Sequence, residues 1–368
     1  MTEDATQKFK PENLLHFTIE VFTHFNIPRD HATLAANILA LSDIRGIDSH
    51  GVARLYSYVG LLSEGLINPN PKIRIVREKK SIATVDGDNG LGLVVGHYAN
   101  EMAMDKSEKF GSGWISVCHS NHYGIASYYS LEALKRDMIG WSMTNTTKLV
   151  APLWGAERML GTNPIAIAFP GLKEPPVVID LATSAAAYGK IEIAKRHQED
   201  VPSGWIIDKE GGLSTQPEDM INGGALLPLG STRDLGGHKG YALASMVDIL
   251  TAVLSGANWG PFAPPFALRQ EMPSRSVGKG IGHFFGAMEI DGFMEVQEFK
   301  KRIDEWISVM RNTKPAKGTG GVLIPGDPER MEEIKRKKDG IPLNASVIAD
   351  LKTISEQTGI PFPGNLGQ

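Results

Sequence analysis

The sequence has little of what marks several large classes of protein. It contains one cysteine, Cys118, in 368 residues, which excludes an internal disulfide and favours a reducing compartment. No apolar run is long enough to span a bilayer, and the polar first ten residues do not resemble a signal peptide. A formal net charge of -4 provides no basic surface for nucleic acid or an anionic membrane. We therefore expect a cytoplasmic protein that binds neither nucleic acid nor membranes.

The sequence is long, and its apolar pattern changes regularly along the chain. A chain of 368 residues suggests two or three packed units that share a core. Apolar residues at helical spacing predict a helix over residues 11–25, and Asp30 is placed to cap a second helix through Leu39. From Ser81 onward, strand-like and helix-like segments alternate as βαβαβ, which predicts an α/β class. We divide the chain into a helical unit (1–75), an α/β domain (76–312) and a mostly helical C-terminal segment (313–368).

A short polar turn follows the apolar run at residues 113–118 and carries a histidine. The turn reads Ser-Asn-His-Tyr-Gly over residues 120–124, and its histidine is His122. Strand ends are where α/β proteins often carry their chemistry. An unperturbed imidazole has a pKa of about 6.5, so it can take a proton from a hydroxyl and return it. His122 is our candidate acid/base, although a lone loop histidine taken without its neighbours is more often structural.

Residues 45–54 (RGIDSHGVAR) combine a cation with an imidazole. Asp48 or Ser49 is predicted to cap a helix that places His50 and Arg54, four residues apart, on one face. The planar fork of an arginine matches a carboxylate with two parallel hydrogen bonds, which suits a small acid. A capped surface helix with a solvated arginine explains this stretch equally well, so both interpretations stay open here.

Three other stretches have features of a cofactor site. Asp180 ends an apolar strand, where a carboxylate can accept hydrogen bonds from a ribose. Residues 234–240 form a glycine-rich turn with Lys239 at a helix N-terminus, which suits an anion or polar ligand. The loop at residues 90–96 (GLGLVVG) imitates a dinucleotide fingerprint, but its third glycine is one residue late. We predict a tight turn between a strand and a helix there.

Six blocks in one order resemble the malate/L-lactate dehydrogenase family, which also holds ureidoglycolate, sulfolactate and diketogulonate enzymes and cyclic imino acid reductases. The blocks are residues 45–54 (RGIDSHGVAR), 120–129 (SNHYGIASYY), 161–170 (GTNPIAIAFP), 180–184 (DLATS), 237–243 (GHKGYAL) and 322–326 (VLIPG). The resemblance extends from about residue 14 to 363. It implies an oxidoreductase that uses NAD or NADP, and an α/β fold whose central mixed sheet binds the cofactor without a Rossmann fingerprint. The N- and C-terminal segments are expected to form a helical unit.

The resemblance also assigns residues. It makes His122 the acid/base and places Ser49, His50 and Arg54 around the substrate carboxylate, with no metal required. Thr146, where relatives often have serine, is implied to contact the cofactor, and Asn163 is a candidate near the nicotinamide. The remaining implied cofactor residues are Asp180, Leu181, Ala182, Lys239, Gly318, Thr319 and Gly320, of which the glycine turn is the weakest match.

The substrate is expected to be a small 2-hydroxy or 2-oxo acid. Malate leads because Arg45, His50 or Lys239 is available for a second carboxylate; lactate, ureidoglycolate, sulfolactate, diketogulonate and cyclic imino acids are the alternatives. A homodimer is expected from the resemblance and from apolar residues on more than one face of the first helix.

Two readings from other classes remain. Asp48, His50, His119 and His122 have spacings that a divalent metal could use, as in a metal-dependent hydrolase or lyase. That reading leaves the blocks at 161–170, 180–184 and 237–243 without a role. A purely structural or binding protein accounts even less well for so many polar strand ends.

Overall fold

A computed structural model describes residues 6–266 and 272–365. The strands are β1 (Gln7–Phe9), β2 (Arg74–Lys79), β3 (Ile82–Asp86), β4 (Ser112–Ser120), β5 (Met138–Thr144), β6 (Ile165–Phe169), β7 (Val177–Leu181), β8 (Ile206–Ile207), β9 (Leu213–Ser214), β10 (Ala225–Leu226), β11 (Ile281–Glu289) and β12 (Ile341–Leu343). The helices are α1 (Pro11–His24), α2 (Arg29–Ile44), α3 (Leu55–Ser63), α4 (Gly92–Phe110), α5 (Ala126–Leu134), α6 (Tyr188–His197), α7 (Pro217–Ile221), α8 (Gly237–Asp248), α9 (Val296–Arg311), α10 (Asp327–Asp339) and α11 (Ala345–Thr358). Short 3₁₀ turns span Asp48–His50, Val52–Arg54 and Gly260–Phe262, and a π-helical segment, Ile249–Val253, continues α8.

The central sheet is mixed, with strand order β2-β3-β4-β11-β5-β6-β7. β3 and β4 are parallel and are joined by α4, whereas the other neighbouring pairs are antiparallel. The predicted α/β class and mixed sheet are confirmed. The predicted βαβαβ order of elements is also correct, but β11 lies between β4 and β5 and pairs with both. The sequence pattern could not reveal this insertion because β11 begins more than 130 residues after β5 ends.

The first helices pack inside the chain's own core. Phe17 and Phe22 are buried in a cluster that also contains Phe285 from the sheet and Ile341 from the C-terminal part. β1 pairs antiparallel with β12, which joins the two ends of the described chain. The apolar residues of α1 therefore pack within the chain, and the expectation that they form a dimer surface was wrong. The division into three sequence segments stays a prediction, since this one core draws on all of them.

Two further differences concern local structure. α2 begins at Arg29, so Asp30 lies in its first turn and does not cap it, and the helix continues to Ile44. A small sheet of order β10-β8-β9 lies between α6 and α8 and was not predicted, because two-residue strands leave no periodic signal. Within the described ranges, no helix is both long and apolar enough to cross a membrane.

Candidate active site

The turn that carries His122 is held by the loop at residues 87–96. The amide of Asn121 donates to the backbone oxygens of Gly90 and Asn89, at 2.9 and 3.1 Å. A Cβ at Gly92 would lie 2.0 Å from the backbone oxygen of Asn121, so only glycine permits this close approach. The loop that imitates a dinucleotide fingerprint thus packs against the His122 turn.

His122 lies among aromatic rings at the end of β4. Its Nδ1 is 2.7 Å from the Tyr58 hydroxyl, and its ring stacks on Phe266 at 4.1 Å and on His50 at 5.5 Å between centroids. Desolvation by this packing, then the nearby His50 and Arg54, hold the pKa of His122 well below its usual value. The imidazole is therefore neutral at pH 7. Its Nε2 has no hydrogen-bond partner among the described residues, so this nitrogen is available to a ligand.

The predicted helix starting at Asp48 or Ser49 is wrong. Two 3₁₀ turns occupy residues 48–54, separated by Gly51. The buried carboxyl of Asp43 accepts the Val52 N–H at 2.8 Å, and a Cβ at Gly51 would lie 1.8 Å from its Oδ1. Burial raises the pKa of Asp43 to about 8, against the lowering effect of the Val52 N–H. The backbone bends around this carboxyl and cannot continue as one helix.

The bent segment still brings the predicted substrate residues to His122. Ser49 Oγ is 2.8 Å from His50 Nδ1, and Arg54 Nε donates to the Ser49 backbone oxygen at 2.5 Å. Burial, together with the charge of Arg54, lowers the pKa of His50 to about 4. In the described part of the chain, the terminal Nη groups of Arg54 have no carboxylate or hydrogen-bond partner. A guanidinium that is free at one end therefore lies near two neutral imidazoles.

Thr146 and Asn163 meet at the ends of β5 and β6. Thr146 Oγ1 accepts the Thr162 N–H at 3.0 Å, and its N–H donates to Asn163 Oδ1 at 3.2 Å. Asn163 is fully buried, and its Nδ2 donates to the backbone of α8 at 3.1 Å, so its amide is already committed to protein partners. The adjacent Thr147 Oγ1 accepts the Phe266 N–H at 3.2 Å, which links this strand end to the ring covering His122.

Asp180 lines a separate cavity of about 360 Å³. The cavity is lined by Arg45, Ser127, Val178, Ile179, Asp180, Leu181, Leu323, Ile324, Pro325, Gly326, Pro328 and Glu329. Asp180 Oδ2 accepts the Ser127 N–H at 2.9 Å. Although Asp180 is reachable by solvent, the surrounding protein desolvates its carboxyl and raises its pKa, against the bond from Ser127. Apolar walls and the carboxyl groups of Asp180 and Glu329 fit the base and ribose of a nucleotide cofactor.

Arg45 belongs to this cavity and does not reach His122. Its Nη1 pairs with Glu333 at 3.3 Å, while its buried Nε has no partner among the described residues. The suggestion that Arg45 receives a second substrate carboxylate is therefore not supported by the structure. An unpartnered buried N–H beside a cavity is a further sign that the cavity accepts a polar ligand.

Lys239 and the turn at residues 318–320 line neither the Asp180 cavity nor the surroundings of His122. Lys239 lines an open cavity of about 570 Å³ at the N-terminus of α8, together with Arg233 and His238. Gly318, Thr319 and Gly320 are exposed and line neither cavity. No hydrogen bond or ring contact between described residues joins Lys239 or this turn to His122, and the carry-over of both to a cofactor site stays a prediction.

The four residues of the metal reading have different partners. Asp48 pairs with Arg336, and His119 Nδ1 lies 2.9 Å from Asp86. His50 contacts Ser49, and His122 contacts Tyr58. Across residues 6–266 and 272–365, no three His, Cys, Asp or Glu side chains are placed to hold a metal ion. The arrangement gives this reading no support.

Sequence reasoning missed three residues of the site: Tyr58, Phe266 and Arg336. Tyr58 follows Arg54 by four residues. Helical spacing could therefore have placed it beside residues 48–54, which carry the predicted substrate residues and are called the substrate segment below. Phe266 and Arg336 come from distant parts of the chain and leave no local signal.

Comparison with known proteins gives a consistent result. Residues 9–352 match the family model described as malate/L-lactate dehydrogenase. The chain is 41% identical to a malate dehydrogenase of Pyrococcus horikoshii and 39% identical to an L-sulfolactate dehydrogenase of Methanocaldococcus jannaschii. These alignments cover 95% of this chain, and 95% and 97% of the respective relatives. The solved structure of a malate dehydrogenase from Entamoeba histolytica superposes with a TM-score of 0.91 at 32% identity, over 98% of this chain and all of that one.

Proposed function

Because the chain belongs to the malate/L-lactate dehydrogenase family, we propose that its oxidoreductase chemistry takes place at His122, with Arg54 binding the carboxylate of a 2-hydroxy or 2-oxo acid. One observation carries the proposal: the unpartnered Nε2 of His122 lies in the same cluster as the free end of the Arg54 guanidinium. The family uses nicotinamide cofactors. The bound cofactor supplies the hydride acceptor for oxidation and the hydride donor for reduction.

His122 moves the proton. In oxidation its neutral Nε2 accepts the hydroxyl proton of the substrate, and in reduction the protonated ring returns it to the new oxygen. Tyr58 supports this role because its hydroxyl lies 2.7 Å from Nδ1 and 3.3 Å from the His122 backbone oxygen. The Gly124 N–H donates to the same nitrogen at 3.3 Å, so Nδ1 is engaged by the protein and Nε2 is left for the substrate. Burial raises the pKa of Tyr58, so the phenol stays protonated.

Arg54 orients the substrate. Its Nε is fixed on the Ser49 backbone oxygen, so the guanidinium plane is set before the substrate arrives. The two Nη groups remain for a carboxylate, which places the adjacent C2 hydroxyl or carbonyl towards His122. The rings of Phe266 and His50 exclude water from one side of this site, which strengthens each charged contact.

Malate is the proposed substrate, as the similarity to the malate dehydrogenases of Pyrococcus and Entamoeba suggests. Lactate, ureidoglycolate, sulfolactate, diketogulonate and cyclic imino acids are the competing substrates. A panel of 2-oxo and cyclic imino acids with each reduced cofactor, followed at the nicotinamide absorbance, tests this directly. We expect the highest kcat/KM with oxaloacetate. A folded protein that oxidises neither cofactor with any compound would contradict the proposed function.

The Asp180 cavity supports a preference for NAD over NADP. Asp180 has one oxygen, Oδ1, that no described residue binds, and Glu329 lies near enough to raise its pKa. Two carboxylates favour a ribose hydroxyl and repel a 2′-phosphate. We expect NADH to bind at least about tenfold more tightly than NADPH, and Asp180→Ser to reduce that ratio. Fluorescence titration measures both; equal binding of the two cofactors to the wild type would contradict the preference.

A homodimer and a cytoplasmic location complete the proposal. α8 and its π-helical continuation expose apolar side chains three to four residues apart, including Met246, Ile249 and Val253. This stripe replaces α1 as the candidate contact surface between two copies. Light scattering should return twice 39.9 kDa at micromolar concentration, and Ile249→Asp should lower it, whereas Leu172→Asp, on an exposed loop, should not. A wild-type monomer would contradict the dimer.

A further inference from the structure

Arg336, on α10, connects the C-terminal part of the chain to the substrate segment. Its Nη1 donates to the Asp43 backbone oxygen at 2.7 Å and to Asp48 Oδ1, and its Nη2 donates to Asp48 Oδ2 at 3.1 Å. Its Nε donates to Glu332 at 3.0 Å. The side chain is 9% exposed, so a buried guanidinium with every nitrogen engaged holds a turn 288 residues away.

The contact between Arg336 and Asp48 lies next to the proposed substrate residues, so it affects the charge near the substrate. Asp48 directly precedes Ser49 and His50, and the same segment carries Arg54. An uncompensated carboxylate there would oppose the binding of an anionic substrate. The bidentate pair with Arg336 offsets that charge and fixes the Asp48 side chain on α10. Because the Asp48 side chain is 55% exposed, solvent screens part of the effect and its size is moderate.

We propose that Arg336 is a positioning residue, which sets the affinity for the acid substrate by neutralising Asp48 and holding the turn before Ser49. This inference rests on the proposed function only in that the substrate is an anion bound at Arg54. Arg336 acts through the turn and is not placed among the groups that move the proton.

Docking of α10 does not depend on Arg336 alone. Glu333 pairs with Arg45 at 3.3 Å, and Gly46 packs so closely on Glu332 that an added Cβ would lie 3.0 Å from its Cγ. Loss of the Arg336 guanidinium should therefore leave the helix in place. A variant at this position can be expected to fold and to bind cofactor.

The test compares Arg336→Met, Arg336→Lys, Asp48→Asn and the double variant Arg336→Met/Asp48→Asn. Lys335→Met is the matched control, because it removes one positive charge from the exposed face of the same helix. We expect Arg336→Met to raise KM for the oxo acid about three- to tenfold with little change in kcat or in NADH binding. Arg336→Lys should fall between it and the wild type, and Lys335→Met should be unchanged.

The double variant separates charge from a merely structural contact. If Asp48 repels the substrate once it is unpaired, Arg336→Met/Asp48→Asn should restore KM towards the wild-type value. A KM that stays high in the double variant, or one that Arg336→Met leaves unchanged, would overturn the inference. If Arg336→Met fails to fold, Arg336→Lys must still raise KM, and a wild-type KM in that variant would overturn it. Absence of wild-type activity with every acid would instead count against the proposed function.

Discussion

The His122 site and the Asp180 cavity differ in the sign of the charged group that each leaves unpaired. His122 and His50 are stacked, desolvated and close to Arg54, and the pKa of each ring is lowered, to about 4 for His50. The Asp180 cavity opens to solvent, and its arginine, Arg45, is paired with Glu333, which leaves the carboxyl groups of Asp180 and Glu329 in the lining. The first site keeps neutral bases beside one free cation. The second keeps a carboxylate with an open acceptor.

This difference separates two tasks. A dry site with a fixed cation binds an anion and moves a proton with little reorganisation. An open site with an acidic group and apolar walls recognises the hydroxyls and base of a larger ligand. Changes in the first site should therefore affect turnover, and changes in the second should affect cofactor choice.

Replacing His122 by asparagine should have the largest effect. The change removes the proposed proton carrier and leaves the Asp180 cavity intact, so turnover should fall about a hundredfold or more while NADH binding survives. Steady-state kinetics and fluorescence titration on the same preparation provide both numbers. Near-normal turnover would show that another group, such as the neighbouring His50, carries the proton. Joint loss of turnover and cofactor binding would show that the two sites are not independent.

Arg54→Lys should have the next largest effect. The substitution keeps the charge and loses the planar fork, so the carboxylate is held by one bond where two had fixed its plane. We expect kcat/KM to fall by about one to two orders of magnitude, with an increase in KM as well as a decrease in kcat. The exposed Arg29→Lys on α2 is a suitable control. An unchanged kcat/KM would remove Arg54 from the substrate site.

The smallest effect concerns Asp43, the buried carboxyl beneath the substrate segment. Its pKa is about 8 in the folded chain against 3.8 ordinarily, so the folded state holds an extra proton between these values. The stability that this proton provides is complete below pH 3.8 and is lost as pH rises towards 8. Asp43→Asn should therefore be relatively more stable at pH 8 than at pH 5, compared with the wild type.

Thermal unfolding at the two pH values measures this difference. The surface substitution Asp30→Asn should show no such change, because Asp30 is exposed. A constant difference in Tm between Asp43→Asn and the wild type would mean that Asp43 is already ionised at pH 5.

Much of the fold follows from local pattern. The βαβαβ order predicted from Ser81 onward corresponds to β3, α4, β4, α5 and β5, because each element has a clear apolar period and a polar or glycine boundary. The position of β11 between β4 and β5 was not predicted, since pairing between distant strands leaves no local trace.

The residues of the site could also be predicted only in part. His122, Ser49, His50 and Arg54 were identified from short motifs, and the structure brings them together although the predicted helix is absent. The bend that achieves this depends on Asp43 and Gly51, whose contact is not visible in a helical pattern. Phe266 and Arg336 enter from distant segments, so only the folded chain shows that Phe266 covers His122 and that Arg336 holds the turn at Asp48.

The central claim is that His122 is neutral at pH 7 and that its Nε2, which no described residue binds, exchanges the proton with the substrate. NMR titration of the histidine rings tests the first part, with the His122→Asn spectrum used for assignment. The account predicts a His122 midpoint below the ordinary value of 6.5, because packing desolvates the ring. A midpoint at or above 6.5 would contradict it.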